Sequence, residues 1–222
     1  MKKITLYLIL FILLLIFLPR FLINVKIECS SQLGDCPSDV VSQINYLNGK
    51  KMFFAKRKLK EILQNSYIVS EFSIQFKLPN ILGIDLLIKK PIYAMKNKDA
   101  NVYALIDSNG SVLATTDKTN LPSVIIEEGI PEIGNKITEK SLFALELVDG
   151  VGNMYQTRAG IVEKDTLLVD LPGPVRVLFP LVEAKKDVLL GSLRLIYSNI
   201  QGEDGKVLYS QIDMRYKNPV LR

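Results

Sequence analysis

The residue types that carry most enzyme chemistry are scarce in this chain. Its 222 residues include no His, no Trp and only two Cys, Cys29 and Cys36. Without His there is no imidazole base for a Ser or Cys triad and no imidazole ligand for zinc, and two Cys alone are too few to hold a metal. Ser-x-x-Lys, the spacing of penicillin-binding acyl transfer, occurs nowhere. Gly129 and Gly134 have the spacing of a phosphate loop, but Asn135-Lys136 follows where Lys-Ser or Lys-Thr is required. Glu127-Glu128 offers carboxylates for glycoside hydrolysis, yet that reaction needs two acids flanking the bond, and adjacent acids on a loop are solvated. Gly150-Val-Gly152 is a bare Gly-x-Gly after a helical pattern and reads as a cap or turn. The chain is therefore expected to be no enzyme and to use no cofactor, metal or small-molecule substrate. Recognition is left to backbone edges and exposed side chains.

The length suits one large or two small domains. Hydrophobic residues make up 48% and charged residues 23%, and the mean hydropathy of +0.21 is high for a soluble protein. The excess lies at the start, where Lys2 and Lys3 precede an apolar run from Ile4 to Leu18 broken only by Thr5, and Pro19 and Arg20 lead on to Phe21, Leu22 and Ile23. Residues 4–23 are long enough for one transmembrane helix, and Pro-Arg-Phe-Leu-Ile-Asn offers no small-residue cleavage site. Lys2, Lys3 and the amino terminus outweigh Arg20 and Lys26, which predicts a cytoplasmic amino terminus with the rest of the chain outside. The net charge of +5 divides into +3 for residues 1–23, +4 for 24–91 and −2 for 92–222. Positive charge beside a bilayer and none in excess beyond it argues against a nucleic-acid partner.

Past the anchor, residues 24–91 read as strand, helix, helix, strand, strand. Val40 or Val41, Ile44 and Leu47 recur at helical spacing before Gly49, as do Ala55, Leu59, Ile62 and Leu63. Lys56, Arg57, Lys58 and Lys60 form the densest basic cluster, on the solvated side of that second helix. The period then falls to two through Phe72, Ile74 and Phe76 and again through Ile84, Leu86 and Ile88, with a turn at Leu78-Pro-Asn80. Residues 92–222 are richer in strands. Asn109-Gly110 between apolar runs predicts a hairpin with a type I′ turn, and Leu142, Leu145 and Val148 predict a helix. Strands follow at 155–162, 166–171 and 175–179, then a helix through Leu189, Leu193, Ile196 and Ile200, a turn at 202–205 and a last strand at 206–216. In that strand Ile212, Met214 and Tyr216 share one face, and Gln211, Asp213 and Arg215 the other.

Several phrases, in order and at familiar spacing, resemble the bacterial cell-division proteins FtsQ and DivIB. Ile88-Lys-Lys-Pro-Ile-Tyr-Ala94 is similar to the family's Glu-Arg-x-Pro-x-Ala junction, with Lys89 and Lys90 in place of Glu-Arg. Tyr103-Ala-Leu-Ile-Asp-Ser-Asn-Gly110 resembles its Leu-Ile-Asp-x-x-Gly hairpin, followed by Leu121-Pro122 and the loop containing Gly134. Ile212-Asp-Met-Arg-Tyr216 is similar to its terminal Ile-Asp-Leu-Arg-Phe. The resemblance covers nearly the whole chain. It implies an α+β fold: a single N-terminal transmembrane helix, a small POTRA-like βααββ domain, and a larger strand-rich β domain with helices on an antiparallel or mixed sheet. The expected boundaries are 1–3, 4–23, 24–91 and 92–222.

The family's function, carried over, is that of a non-catalytic scaffold at the septum, held to the lipid bilayer by residues 4–23. It would link early and late division proteins through extracytoplasmic contacts with small coiled-coil membrane partners of the FtsB and FtsL type. A terminal strand at an open sheet edge suits such work, because a partner strand can pair with its free N–H and C=O groups. Matching positions imply Gln211, Asp213, Arg215, Tyr216, Asn218 and Val220 as partner contacts. Tyr216 is either an aromatic anchor or a core residue on the inward face. Pro219 lacks an N–H and limits how far pairing extends. Outside the membrane Cys29 and Cys36 are either two free thiols or a disulfide closing an eight-residue loop. The alternative function is a POTRA-type binding module for protein translocation or envelope assembly.

Overall fold

Alternating apolar residues at Phe72, Ile74 and Phe76 meet Leu86, Ile84 and Leu82 across an antiparallel hairpin, so six apolar side chains share one face. This hairpin, β3 (Val69–Lys77) and β4 (Ile81–Ile88), is half of a four-stranded sheet. The computed structural model describes residues 23–182, 185–200 and 209–222, which divide into two compact units meeting between Lys89 and Lys90. In the first unit β1 (Lys26–Ser31) runs parallel to β4, and the two-residue β2 (Gly34–Asp35) turns back on β1, giving the order β2-β1-β4-β3. A parallel neighbour requires a crossover. Helix α1 (Ser38–Ile44), a 3₁₀ turn at Asn45–Leu47 and helix α2 (Met52–Gln64) are part of it, and they place Val40, Ile44, Leu47, Met52, Ala55, Leu59 and Leu63 against Leu82, Ile84 and Leu86. Each such fully buried Leu or Ile contributes about 1.5–3 kcal/mol. A disulfide joins Cys29 in β1 to Cys36 just past β2, closing the short turn between them.

The fold expectation is corrected on one point. No helix among the described residues is long and apolar enough to cross a membrane. The run 4–23 on which a transmembrane helix was placed lies, as far as residue 22, outside the described residues.

In the second unit the described residues form a nine-stranded mixed sheet. Its strands are β5 (Tyr93–Asn97), β6 (Tyr103–Ile106), β7 (Val112–Thr116), β8 (Ser123–Ile126), β9 (Ala159–Glu163), β10 (Thr166–Asp170), β11 (Arg176–Pro180), β12 (Gln211–Asp213) and β13 (Val220–Leu221). Their spatial order is β13-β12-β11-β10-β9-β8-β5-β6-β7. The pairs β8–β9 and β11–β12 are parallel, and each is bridged by a helix: α3 (Glu139–Tyr155) and α4 (Lys186–Ile200). Crossovers of one hand bring both helices to one face. There Leu145, Val148, Leu189, Leu193 and Tyr197 join Met95, Ile106, Val124, Val162, Leu167, Val177, Phe179, Ile212 and Met214 in a single core. Tyr155 and Tyr197 cross edge to face with ring centroids 4.8 Å apart.

Three local expectations change. The Asn109-Gly110 hairpin forms, but only Gly110 of that pair has positive φ, at 77°. Gly110 N–H donates to Asp107 O, while Asp107 Oδ1 accepts from Asn109 N–H at 2.9 Å and Ser111 N–H at 2.7 Å. This aspartate turn replaces type I′ and displaces the β6–β7 register by a bulge. Gly150 and Gly152 lie inside α3 rather than capping it. A Cβ at Gly150 would overlap Leu190 of α4, and one at Gly152 would meet Thr157 O at 2.9 Å, so both glycines serve close approach. The helix ends instead on Gln156 in the left-handed region, φ 62°, and β9 begins at Ala159. The last strand is shorter than 206–216: residues 206–208 lie outside the described residues, and β12 stops at Asp213.

Candidate functional site

Beyond β12 the chain turns and pairs with itself. Met214 N–H donates to Leu178 O at 2.9 Å, the last rung toward β11. Val220 and Leu221 then return antiparallel, opposite Asp213 and Ile212. Among the described residues the outermost strand on this side is therefore β13, and β12 is interior to it. Gln211 and Arg222 exchange both backbone bonds, each at 3.0 Å. By antiparallel alternation Leu221 turns its N–H and C=O outward, and so does the C=O of Pro219, which has no N–H to offer. Among the described residues this edge presents one donor and two acceptors.

The six residues implied as partner contacts separate into two groups. Gln211 is half-buried in β12, and with Asp170, Gly173, Pro174, Val175, Arg176 and Ser210 it lines an open concavity of about 490 Å³. Asp213, on the sheet face opposite Ile212, has a side chain 0% exposed. Its carboxylate accepts from Arg215 Nε at 2.9 Å and Nη2 at 2.7 Å, and from the Arg215 backbone N–H at 3.2 Å. These bonds hold the Asp213 carboxyl below the usual aspartate range and raise the guanidinium. A like pair, Arg176 Nε to Asp170 Oδ1 at 2.6 Å and Nη2 to Oδ2 at 3.1 Å, lowers the Asp170 carboxyl. Asp213 is thus occupied inside the protein. Tyr216, Asn218 and Val220 are exposed, Tyr216 by 55%. With the strand ended at Asp213, the alternation that would carry Tyr216 inward after Ile212 and Met214 no longer applies, so Tyr216 is not core.

Tyr216 lies on the rim of a second concavity, about 660 Å³, between the β12–β13 turn and the start of α4. Pro180, Val182, Val188, Leu189, Met214 and Pro219 supply apolar wall, and Val182 and Val188 are exposed. The charged residues on its described lining are Lys185, Arg215 and Lys217. Lys186 turns from the groove to Glu146 Oε2 of α3 at 3.1 Å, which anchors the first turn of α4 and raises the lysine's pKa. Sequence reasoning did not single out Val182, Lys185 and Val188. Val188 stands off the buried stripe of Leu189, Leu193 and Ile200, and an apolar residue off that stripe is the available signal. The described residues contain no group of three His, Cys, Asp or Glu able to hold a metal. No family model matches the chain, and no curated protein matches it.

Proposed function

We propose that this chain is a non-catalytic scaffold of the bacterial division machinery, of the FtsQ and DivIB kind, linking early and late division proteins at the septum through extracytoplasmic contacts. The observation that carries the binding part is the exposed Tyr216 on a partly apolar groove whose turn leads directly into the open edge of β13. A partner strand pairing with that edge gains three main-chain bonds, each worth about 0.5–1.5 kcal/mol net. Association costs about 4–15 kcal/mol in lost freedom. Side chains must therefore supply most of the affinity: apolar groups against Val182, Val188 and Tyr216, and acidic groups toward Lys185 and Lys217. A small coiled-coil membrane protein of the FtsB and FtsL type would meet that demand with an extended segment bearing acidic and apolar side chains. The Cys29–Cys36 disulfide supports an oxidising, extracytoplasmic setting. The division assignment itself rests on the resemblance of the phrases at 88–94, 103–110 and 212–216.

The test has two readouts. A fluorescent fusion is expected to collect at the division site, and uniform fluorescence in dividing cells defeats the division reading. Tyr216→Ala is expected to abolish copurification of the coiled-coil partner while thermal unfolding is unchanged, because the ring is outside the core; retained copurification defeats the groove. Truncation after Ser210 is a poor substitute, since it removes Ile212 and Met214 from the core.

A further inference from the structure

Helix α2 turns Met52, Ala55, Leu59 and Leu63 inward. Phe53, Arg57 and Lys60 stand at i, i+4 and i+7 on its outer side, with Phe54 next to them. Phe53 is 60% exposed and Phe54 46%. Both stand off the inner stripe of Met52, Ala55, Leu59 and Leu63 that fills the core. They are set among cations: residues 50–61 contain six Lys or Arg against one acid, Glu61, and their net charge of +5 equals that of the whole chain. Glu61 accepts from Lys58 Nζ at 2.9 Å, which lowers the carboxyl and leaves it charged beside the remaining cations.

The position of this face in the fold tells what covers it. Met52 N–H donates to Ile23 O at 3.0 Å, Val25 N–H donates to Lys50 O at 3.0 Å, and Gly49, at φ 75°, donates to Val25 O at 2.8 Å. The first turn of α2 is thereby tied to the place where the chain arrives from residues 4–22, of which 4–18 are apolar but for Thr5. An apolar sequence thus leads into Ile23, one hydrogen bond from a basic, aromatic helix face. We infer that α2 docks on an anionic bilayer surface, with Phe53 and Phe54 at the boundary of headgroups and acyl chains and Lys56, Arg57 and Lys60 against lipid phosphates. Interfacial helices bind by this combination of apolar area and basic charge, and each cation near the surface strengthens binding about fivefold. A nucleic acid would use the same cations, but the neighbouring apolar run favours lipid.

The chain has no Trp, so Phe53→Trp makes a sole tryptophan at an exposed position, excited beyond the absorption of the nine Tyr. The full-length Phe53→Trp protein is mixed with phosphatidylcholine vesicles, and with vesicles in which phosphatidylglycerol replaces part of that lipid. Residues 4–22 are common to both arms. With anionic vesicles alone the emission is expected to move to shorter wavelength and to be quenched by lipids brominated high on the acyl chain. Replacing Lys56, Arg57 and Lys60 by Gln in the same background is expected to weaken docking roughly a hundredfold. Hydrogen exchange across residues 50–61 of the unsubstituted chain, with and without anionic vesicles, gives the same comparison free of any effect of the new Trp, and slowed exchange is expected. Equal emission and equal exchange in both kinds of vesicle overturn the inference, as does a response to an oligonucleotide or to polyglutamate without one to lipid.

Discussion

Arg215→Ala is expected to destabilise the second unit more than Asp213→Asn, although Asp213 is the buried partner. Removing the guanidinium takes away two charge-assisted bonds and leaves a carboxylate whose side chain is 0% exposed with a single backbone donor at 3.2 Å. Stranding a buried charge in this way costs about 3–5 kcal/mol. Asp213→Asn strands nothing comparable, because the Arg215 side chain is 40% exposed and its head can take water instead, so the loss is about 1–2 kcal/mol. Native-state hydrogen exchange at Met214, whose N–H bonds Leu178 O, reads the stability of this unit directly. The double variant should cost much less than the sum. The pH dependence carries its own sign. The Asp213 carboxyl is depressed in the folded protein, so its stabilisation is complete above the unfolded aspartate value of about 3.9 and is lost as pH falls through the lower folded value. In Arg215→Ala burial instead raises that carboxyl, so the gap to the unsubstituted protein narrows on acidification. An Arg215→Ala cost no larger than that of Asp213→Asn, or a double variant additive to within about 0.5 kcal/mol, refutes the pairing argument.

Reduction, or Cys29→Ser with Cys36→Ser, is expected to lower the stability of the first unit by about 2.5 kcal/mol, the loop-closure value for eight residues. Thermal unfolding with and without dithiothreitol checks it, and an unmoved first-unit transition counts against the bond. Gly150→Ala should destabilise by about 1–3 kcal/mol even though Ala is the better helix former, because its Cβ overlaps Leu190. Urea unfolding of Gly150→Ala and of Gly150→Ala/Leu190→Ala tests this, since the second change should recover part of the loss.

Residues whose own spacing determines their burial were readable in the chain. Ala55, Leu59 and Leu63 place α2, and Phe72, Ile74, Ile84 and Leu86 place the first hairpin, because one face of each element is buried and the period follows directly. Gly150 was not readable, since its reason is a side chain forty residues away on another helix. The Asn-Gly turn was misjudged because Asp107, two residues earlier, supplies acceptors that favour a different turn. In the candidate site the burial of Ile212 was legible, whereas Tyr216 stood open between anchor and core until the end of β12 left it exposed. The shortening of the last strand was not: Asp213 and Arg215 are two apart and satisfy each other, which closes the strand and allows Val220 to fold back over it. Val182 and Val188 join the site only once α4 is docked, so no local pattern marks them as a pair.

The parallel pairing of β1 with β4 has a mechanical consequence. Six residues of β1, Lys26 to Ser31, lie in register with Ile81 to Leu86. The chain enters β1 at Lys26 and leaves β4 at Ile88, at opposite ends of two strands that run the same way. Tension applied between residues before Ile23 and residues after Lys89 therefore acts along the strands, in opposite directions on the two neighbours. The rungs are sheared together, and none can be peeled ahead of the next. Within the first unit such a pull meets the β1–β4 pairing in shear, the geometry in which the rungs share the load.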